Sequence, residues 1–134
     1  MSDKLHFSLV SPARELFSGE VDHVIAPGSD GEFGVLVNHA PFMTTLKNGV
    51  VRVLDGETIS MRMFVRGGFA DVTAAGLTIL AEEAVDLSDV DTAKLAADIE
   101  AAREDMLTHG DDGQHGALQE QVDYLEALKD AVAA

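Results

Sequence analysis

The sequence predicts an α+β protein, in which an antiparallel β-sandwich or barrel is followed by an antiparallel helical hairpin. In residues 1–87 apolar and polar side chains alternate, and turn signals recur about every 8 to 12 residues, as in a layered or closed antiparallel sheet. From residue 88 onward the apolar residues recur with the period of a helix. We therefore expect a boundary between a β domain, residues 1–87, and a helical domain, residues 88–134.

The strand pattern is clearest in three segments of the β domain. Residues 5–9 and 33–37 alternate apolar with polar or small side chains. Residues 50–65 predict a hairpin, because the Asp55-Gly56 pair suits a type I′ turn, whose two central positions need positive φ. In this hairpin one strand would place two valines opposite three side chains of the other: Val51 and Val53 opposite Ile59, Met61 and Met63.

Two amphipathic helices are predicted in the helical domain. Ser88, followed three residues later by Asp91, resembles a capping box at the first helix start. The segment 108–116, with three glycines, separates the helices. A hairpin of about 45 residues with one apolar stripe per helix buries too little surface to fold alone, so it must lean on the β domain or on another protein. The first stripe comprises Leu95, Ile99, Ala102 and Met106, and the second comprises Leu118, Val122, Leu125, Leu128 and Val132.

The composition is strongly acidic and contains no cysteine. There are 24 acidic residues against 9 basic ones, a formal net charge of −15, which repels nucleic acid and anionic lipid and attracts a partner that carries Lys or Arg. The absence of cysteine excludes disulfides, cysteine-ligated zinc and thiol catalysis. No run of about 18 apolar residues is present, so no membrane insertion is expected. The amino terminus lacks the apolar stretch of a secretory signal, and the lack of an Arg/Ser-rich leader favours a bacterial cytoplasmic product over an organelle precursor.

The segment GSDGEFGVLVNHAPF, residues 28–42, has glycines spaced three residues apart. A phosphate-binding loop would end in Gly-Lys-Ser/Thr and open a helix, but no lysine lies between Asp30 and Leu46 and the segment continues into a strand. A metal site is not indicated, because no two of the five histidines are four residues apart on a helix, and no Gly-x-Ser-x-Gly motif marks a nucleophile. We therefore predict no catalytic residue, no metal and no cofactor.

The same segment is typical of a turn that presents a binding surface. The Asp30-Gly31 pair predicts a turn, because glycine adopts positive φ without strain, and Glu32 beside it would be exposed. Pro41 ends the strand, since the residue before a proline avoids helical geometry. Rigid loops on a β scaffold commonly bind partners, so we expect a binding surface with an exposed carboxylate flanked by His39.

Four segments, taken in order, resemble the epsilon subunit of bacterial F-type ATP synthases, the counterpart of the mitochondrial delta subunit. They are LFSGEVDHVIAPGSDGEFGVLVNHAPF, TLKNGVVRV, FVRGGFADV and LTILAEEAVDLSDVD. Their order, their spacing and the change from β to α period agree over nearly the whole chain. The resemblance implies a flattened sandwich of about ten antiparallel strands before the helical hairpin.

The resemblance also implies a non-catalytic rotor subunit of the central stalk, peripheral at the cytoplasmic face of the bacterial inner membrane. In the family this subunit binds the gamma subunit and rests on the ring of c subunits, so that rotation of the ring reaches the catalytic head. The family's Gly-Glu turn approaches the polar loops of the c-ring. This contact corresponds here to Gly31, Glu32 and Gly34, with His39 close by.

The helical hairpin departs from relatives that inhibit ATP hydrolysis or bind ATP. In several members basic residues of the hairpin face an acidic loop of a beta subunit of the catalytic head. Residues 88–134 here hold three basic and twelve acidic residues, a net charge of −9, so like charges oppose that contact. The family's ATP-binding motif Asp-x-x-Arg-Ala corresponds to Asp91-Thr-Ala-Lys94-Leu95, in which both diagnostic positions differ.

We therefore predict a degraded nucleotide site at Asp91 and Lys94, with weak or no ATP binding and weak or no inhibition of hydrolysis. Two alternatives stay open. One is a regulatory, ATP-sensing subunit whose hairpin changes conformation on nucleotide binding, and the other is an unrelated adaptor that binds a basic peptide.

Overall fold

The computed structural model describes residues 4–109 and 115–133. Within these residues the chain forms ten strands and two helices, and it divides into two compact units between Ser88 and Asp89. The strands are β1 Leu5–Val10, β2 Glu15–Val21, β3 His23–Gly28, β4 Gly31–Leu36, β5 Phe42–Leu46, β6 Gly49–Asp55, β7 Thr58–Arg66, β8 Gly68–Thr73, β9 Gly76–Leu80 and β10 Glu83–Asp86, and the helices are α1 Thr92–His109 and α2 His115–Ala133. The predicted α+β class, with about ten strands before a helical hairpin, is confirmed.

Hydrogen bonds join the ten strands in the order β10-β7-β6-β3-β5-β8-β9-β1-β2, with β4 attached to β3. Every pairing is antiparallel except that of β1 with β9. Strand β3 connects two layers, because its residues 23–25 pair with β6 and its last residue, Gly28, pairs with Leu46 of β5. We call β10, β7, β6, β3 and β4 the first layer, and β5, β8, β9, β1 and β2 the second layer.

The core of the β unit lies between the two layers. Alternate residues of the strands point inward, as the period of two predicts, and Phe7, Leu9 and Val24 are fully buried. The ring of Phe7 packs against that of Phe17, with ring centroids 5.7 Å apart. Burial of each such side chain contributes about 1.5–3 kcal/mol, so this core stabilises the scaffold that carries the surface loops.

The β6–β7 hairpin forms as predicted, but its turn differs. Val51 pairs with Met63, as predicted. A bulge after Val53 shifts the register, so that Ile59 pairs with Leu54 and its side chain is exposed instead of lying in the core. The predicted type I′ turn at Asp55-Gly56 is wrong, because Asp55 already pairs with Thr58 and Gly56 alone of the turn residues has positive φ. Glycine with positive φ at the first central position is the pattern of a type II′ turn.

A tertiary contact explains this turn. The backbone N–H of Gly56 donates to Asp22 Oδ2 at 2.5 Å, while Asp22 Oδ1 lies 2.5 Å from Lys4 Nζ. The hydrogen bond from Lys4, followed by that from Gly56, lowers the pKa of the Asp22 carboxyl, and Asp22 in turn raises the pKa of Lys4. The turn is therefore held by a carboxylate 34 residues away in the sequence.

In the helical unit the cap differs from the prediction and the apolar stripes agree with it. Asp91, not Ser88, caps α1, because Asp91 Oδ1 accepts from the N–H groups of Ala93 and Lys94 at 3.0 and 3.1 Å. Ser88 instead donates its N–H and hydroxyl to Asp86. Of the predicted stripes, these residues are buried: Leu95, Ile99, Val122, Leu125 and Leu128.

The two helices are joined by an ion pair between Arg103 and Glu126, and Glu126 raises the pKa of the guanidinium. Tyr124 is also buried, although it lies outside the predicted stripe. The helices extend into the segment 108–116 that was predicted to separate them, because residues 108–109 belong to α1 and residues 115–116 belong to α2. Residues 110–114 lie outside the described residues.

Candidate functional site

The β3–β4 hairpin carries the predicted binding turn. Its turn residues are Ser29 and Asp30, between Gly28 and Gly31, which is one residue earlier than the predicted Asp30-Gly31 turn. Gly31 has a φ of 136°, a conformation that favours glycine. The N–H of Ser29 donates to the carbonyl of Thr45 at 3.0 Å, and the hydroxyls of these two residues lie 2.7 Å apart. The turn is therefore fixed to β5.

Glu32 was expected as an exposed carboxylate, and it is paired with Arg52 of β6. Glu32 Oε1 lies 2.5 Å from Arg52 Nη2, and the two side chains meet on one face of the first layer, across β3. The Glu32 side chain keeps 55% of its surface exposed. A pair this exposed adds about 0–1 kcal/mol to stability, so its main effect is to direct the carboxylate and to compensate its charge.

Gly34 is required by packing within the sheet. A Cβ at this position would lie 2.6 Å from Nε2 of His23, on the neighbouring strand β3. Glycine therefore leaves room for the imidazole ring, which lies beside the backbone of β4. This role was not predicted, because the pairing of β3 with β4 brings the two residues together.

His39 lies at the other end of β4 from Gly31. A strand rises about 3.3 Å per residue, which places Leu36 about 16 Å from Gly31, and the N–H of His39 donates to the carbonyl of Leu36. Asn38, with a φ of 66°, turns the chain there, and the His39 ring donates from Nδ1 to the Ala40 carbonyl at 2.7 Å. The structure thus brings together Gly31, Glu32 and Gly34 on β4 but places His39 apart from the turn.

A row of rings connects the two ends of β4. The rings of Phe33 and Phe42 meet edge to face with centroids 5.3 Å apart, and the centroid of His39 lies 6.3 Å from that of Phe42. Leu36 and Met43 alternate with inward-facing residues of β4 and β5 and are exposed over 56% and 62% of their surfaces, on the outer faces of the first and second layers. Sequence reasoning did not identify the ring contacts, although Phe42 ends the predicted binding segment.

The outer face of the second layer carries little charge except along β2. Within β5, β8, β9 and β1 its cross-strand rows contain one residue with a formal charge, Asp71, and the β2 edge adds Glu15 and Glu20. Met43 and Leu80 are large exposed apolar side chains on this face. Two of the rows comprise Met43, Asp71, Thr78, Ser8 and Ser18, and Thr45, Phe69, Leu80, Val10 and Glu15.

Asp91 and Lys94, the predicted degraded nucleotide site, lie at the start of α1. One carboxylate oxygen of Asp91 is occupied by the two cap hydrogen bonds. A groove of about 330 Å³ lies nearby between the helices, lined by residues that include Leu95, Lys129 and Val132. Neither Asp91 nor Lys94 lines this groove.

The described residues offer neither a metal site nor a membrane-spanning helix. In residues 4–109 and 115–133 no three histidine, aspartate or glutamate side chains are placed to hold a metal ion. Neither of the helices described there is long and apolar enough to cross a membrane.

The comparison with protein families decides between the ATP synthase resemblance and an unrelated adaptor. Residues 4–87 match the family described as ATP synthase, Delta/Epsilon chain, beta-sandwich domain. The chain belongs to the ATP synthase delta/epsilon family. This assignment confirms the resemblance carried by the four sequence segments.

Relatives in this family match the whole chain. The ATP synthase epsilon chain of Hyphomonas neptunium is 65% identical over 134 residues, and the match covers 99% of each chain. That of Maricaulis maris is 53% identical over 134 residues, covering 100% of this chain and 99% of the relative. Both units, and not the sandwich alone, are therefore shared with members of the delta/epsilon family.

Solved structures agree with the fold. A chain in the cryo-EM structure of the Euglena gracilis mitochondrial ATP synthase, described as OSCP/F1/c-ring, superposes with a TM-score of 0.80 and 25% identity, covering 98% of this chain and 83% of that one. A chain in the central stalk and c-ring structure of the Tetrahymena thermophila mitochondrial ATP synthase has a TM-score of 0.60 at 14% identity, covering 96% and 98%, and supports the fold alone.

Proposed function

We propose that this chain is a non-catalytic rotor subunit of an F-type ATP synthase, which binds the gamma subunit and the c-ring and couples ring rotation to the catalytic head. The full-length relative at 65% identity, an ATP synthase epsilon chain, carries this proposal. The solved chain with a TM-score of 0.80 belongs to an assembly that contains a c-ring. The subunit would lie peripherally at the cytoplasmic face of the inner membrane.

The Ser29–Asp30 turn is the proposed contact with the c-ring. The turn is fixed to β5 by hydrogen bonds to Thr45. Because these bonds restrain the turn, its contact with the ring would transmit torque to the β unit. Gly31 and Glu32 follow it directly, and Arg52 directs the Glu32 carboxylate. A basic loop of the ring would meet acidic groups here, which fixes register more than it adds affinity.

The outer face of the second layer is the proposed contact with gamma. On β5, β8, β9 and β1 this face carries one residue with a formal charge, Asp71, beside the exposed Met43 and Leu80, which is unusual on a chain with a net charge of −15. Contiguous exposed apolar surface marks sites of protein association, and charged residues are depleted in the centres of such interfaces.

A pair of leucine variants tests the gamma contact. We expect Leu80→Asp to weaken binding of the chain to isolated gamma about tenfold or more, because it buries a carboxylate in an apolar contact. Leu107→Asp is the matched control, since Leu107 is also an exposed leucine but lies in the helical unit. Equal affinities of the two variants, measured by calorimetry, would contradict this placement of gamma.

Crosslinking tests the c-ring contact in the assembled complex. The chain has no cysteine, so Asp30→Cys introduces a single reactive thiol at the turn and leaves Glu32 and Arg52 intact. We expect Asp30→Cys to crosslink to the ring and Glu57→Cys not to, because Glu57 lies in the β6–β7 turn, at the opposite end of β3. Equal yields from both positions would contradict the assignment.

The helical unit is proposed to bind ATP weakly or not at all and to inhibit hydrolysis little. Its net charge is −9, and Arg103, one of its three basic residues, is paired with Glu126. An inhibitory contact with an acidic loop of a beta subunit would therefore be opposed by like charges. Removal of residues 88–134 should leave the ATPase rate of the assembled complex nearly unchanged, and a many-fold rise would reject this part of the proposal.

The second candidate is a regulatory, ATP-sensing subunit. The groove lined by Leu95, Lys129 and Val132 is the observation that favours it. Calorimetric titration of the isolated chain with millimolar ATP separates the two candidates. A clear binding isotherm, lost in Lys129→Met but kept in Lys47→Met, would favour the sensor.

A further inference from the structure

The outer edge of β4 has no strand partner in residues 4–109 and 115–133. Strand β4 pairs with β3 on one side and lies off the continuous path of the sheet. It is six residues long, which is enough backbone for an added strand of ordinary length.

The backbone groups that point to this free edge can be identified from hydrogen bonds on both sides. Pro27 pairs with Glu32, but its carbonyl accepts from the N–H of Lys47 at 3.0 Å, on the β5 side. The backbone of Pro27 therefore faces away from β4, and in an antiparallel pair the backbone of Glu32 must likewise face away from β3. Because the direction alternates, Gly34 and Leu36 also point their backbone groups outward.

The carbonyl of Leu36 confirms this direction, because it accepts from His39 and not from β3. The outward groups that remain are the N–H and C=O of Glu32 and Gly34 and the N–H of Leu36. They lie along one edge at the two-residue spacing that an added strand requires.

The other two edges carry protection that β4 lacks. Natural sheets protect edges with short strands, charges and bulges. Strand β10 has four residues, of which Glu83 and Asp86 are acidic. Strand β2 carries Glu15 and Glu20 and contains a bulge, because Leu16 is an extra residue in its pairing with β1. On β4 the one charged side chain, Glu32, is compensated by Arg52.

We propose that the outer edge of β4 binds an extended segment of a rotor partner by strand addition, and that this segment carries a basic side chain. Gly34 has no side chain to obstruct a neighbour, and the exposed side chain of Leu36 would be covered by an apolar residue of the added strand. Asp30 lies at the turn end of the edge, where a basic side chain is favoured. Backbone pairing supplies affinity in this mode, and alternate side chains supply specificity.

Charge argues against a second copy of this chain as the occupant. Two chains of −15 would repel each other, and pairing β4 with β4 would bring the two acidic turns into one small assembly. A partner segment that carries Lys or Arg would instead be attracted by the negative charge of this chain. The inference rests on the proposed function only in assigning the segment to the rotor.

Hydrogen exchange of individual amides tests the proposal with the native chain. In the free chain the amides of Glu32, Gly34 and Leu36 should exchange fast, while those of Phe33 and Val35, bonded to β3, exchange slowly. In the assembled ATP synthase the first three should slow at least about tenfold, since each gains a hydrogen bond, and the other two serve as internal controls.

A matched pair of variants tests the backbone contribution. Leu36→Pro removes an outward N–H, a position at which edge strands tolerate proline, whereas Leu36→Ala removes the side chain and keeps the N–H. We expect the proline variant to bind about tenfold more weakly than the alanine variant to ATP synthase from which this subunit has been removed. Circular dichroism checks that both are folded, and if Leu36→Pro is not, the exchange measurement decides.

The outcomes are distinguishable. Assembly of the chain with unprotected outward amides on β4 would overturn strand addition and leave the proposed function intact. Failure of the chain to enter the complex would overturn both. Protection of the same amides in a dimer of the free chain would replace the rotor segment with a second copy and so overturn the proposal.

Discussion

The β unit and the helical unit contain equal numbers of acidic residues but differ in the cations beside them. Residues 1–87 hold twelve acidic and six basic residues, and residues 88–134 hold twelve and three. In the β unit Lys4, Arg52 and Arg66 each lie near a carboxylate, whereas the helical unit has the Arg103–Glu126 pair. The β unit therefore uses charge to fix its turns and strands, while the helical unit presents mostly uncompensated negative charge.

The units also differ in how they bury apolar surface. The core of the β unit draws on nine strands and contains fully buried Phe7, Leu9 and Ile79. Each helix contributes a single stripe, such as Val122, Leu125 and Leu128 in α2. The β unit therefore has the larger apolar core, which suits its proposed contacts with gamma and the c-ring.

The largest expected effect is the loss of the β core. Phe7→Ala should destabilise the β unit by about 3–5 kcal/mol, because it deletes a fully buried ring. Urea unfolding followed by a strand-sensitive signal measures this loss. Phe42→Ala is the control, since the ring of Phe42 is 41% exposed, and an equal loss in both variants would show that the two layers do not form the main core.

A smaller effect is expected from the equivalent change in the helical unit. Leu125→Ala should cost about 2–3 kcal/mol of helical stability and leave the unfolding of the β unit unchanged. Helical circular dichroism and the strand-sensitive signal, recorded in one titration, separate the two responses. Leu107→Ala, at an exposed position of α1, should change neither signal. A loss of β stability in Leu125→Ala would contradict the independence of the units.

The third expected effect sharpens the role of the β4 surface. Gly34→Ala should cost about 1 kcal/mol, because its Cβ displaces the His23 ring from its position beside β4. The double variant His23→Ala/Gly34→Ala should recover most of this loss relative to His23→Ala alone. If the cost of Gly34→Ala stays the same in the His23→Ala background, the two residues are not coupled.

Local periodicity was sufficient to predict most elements of both units. The alternation in residues 5–9 and 33–37 predicts strands that the structure contains, and the stripe residues Leu95 and Ile99 are buried as expected. These patterns succeed because each is set by the environment of one element against one core. The family resemblance added the number of strands, which periodicity alone left open.

Features that depend on distant residues were not predicted. The β6–β7 turn is set by Asp22, which pairing of β3 with β6 brings to Gly56. Ser88 loses the cap to Asp91 because Asp86 binds its hydroxyl and N–H. The compensation of Glu32 by Arg52 spans 20 residues of sequence and requires β3 between them. No local motif encodes such contacts.

The smallest expected effect concerns the Asp22 contact, which is exposed, and its pH dependence has a definite sign. Lys4 and the N–H of Gly56 lower the pKa of Asp22, so the folded state gains stability from its ionised form above the unfolded pKa of about 3.9. This gain is lost as the pH falls through the lower, folded-state pKa. Lys4 has a raised pKa, and its contribution is present below about 10.4 and is lost as the pH rises through the folded value.

Asp22→Asn isolates this charge, because the amide oxygen can still accept the hydrogen bond from Gly56. The variant should be less stable than the native chain between about pH 4 and 10, and the difference should vanish in acid, once the native carboxyl is protonated. Urea midpoints at neutral and acidic pH measure it, and Lys4→Met should reproduce the neutral loss. A difference that persisted in strong acid would show that Asp22 holds the turn by shape rather than by charge, and the contrast between the charge-fixed β unit and the uncompensated helical unit would lose its clearest example.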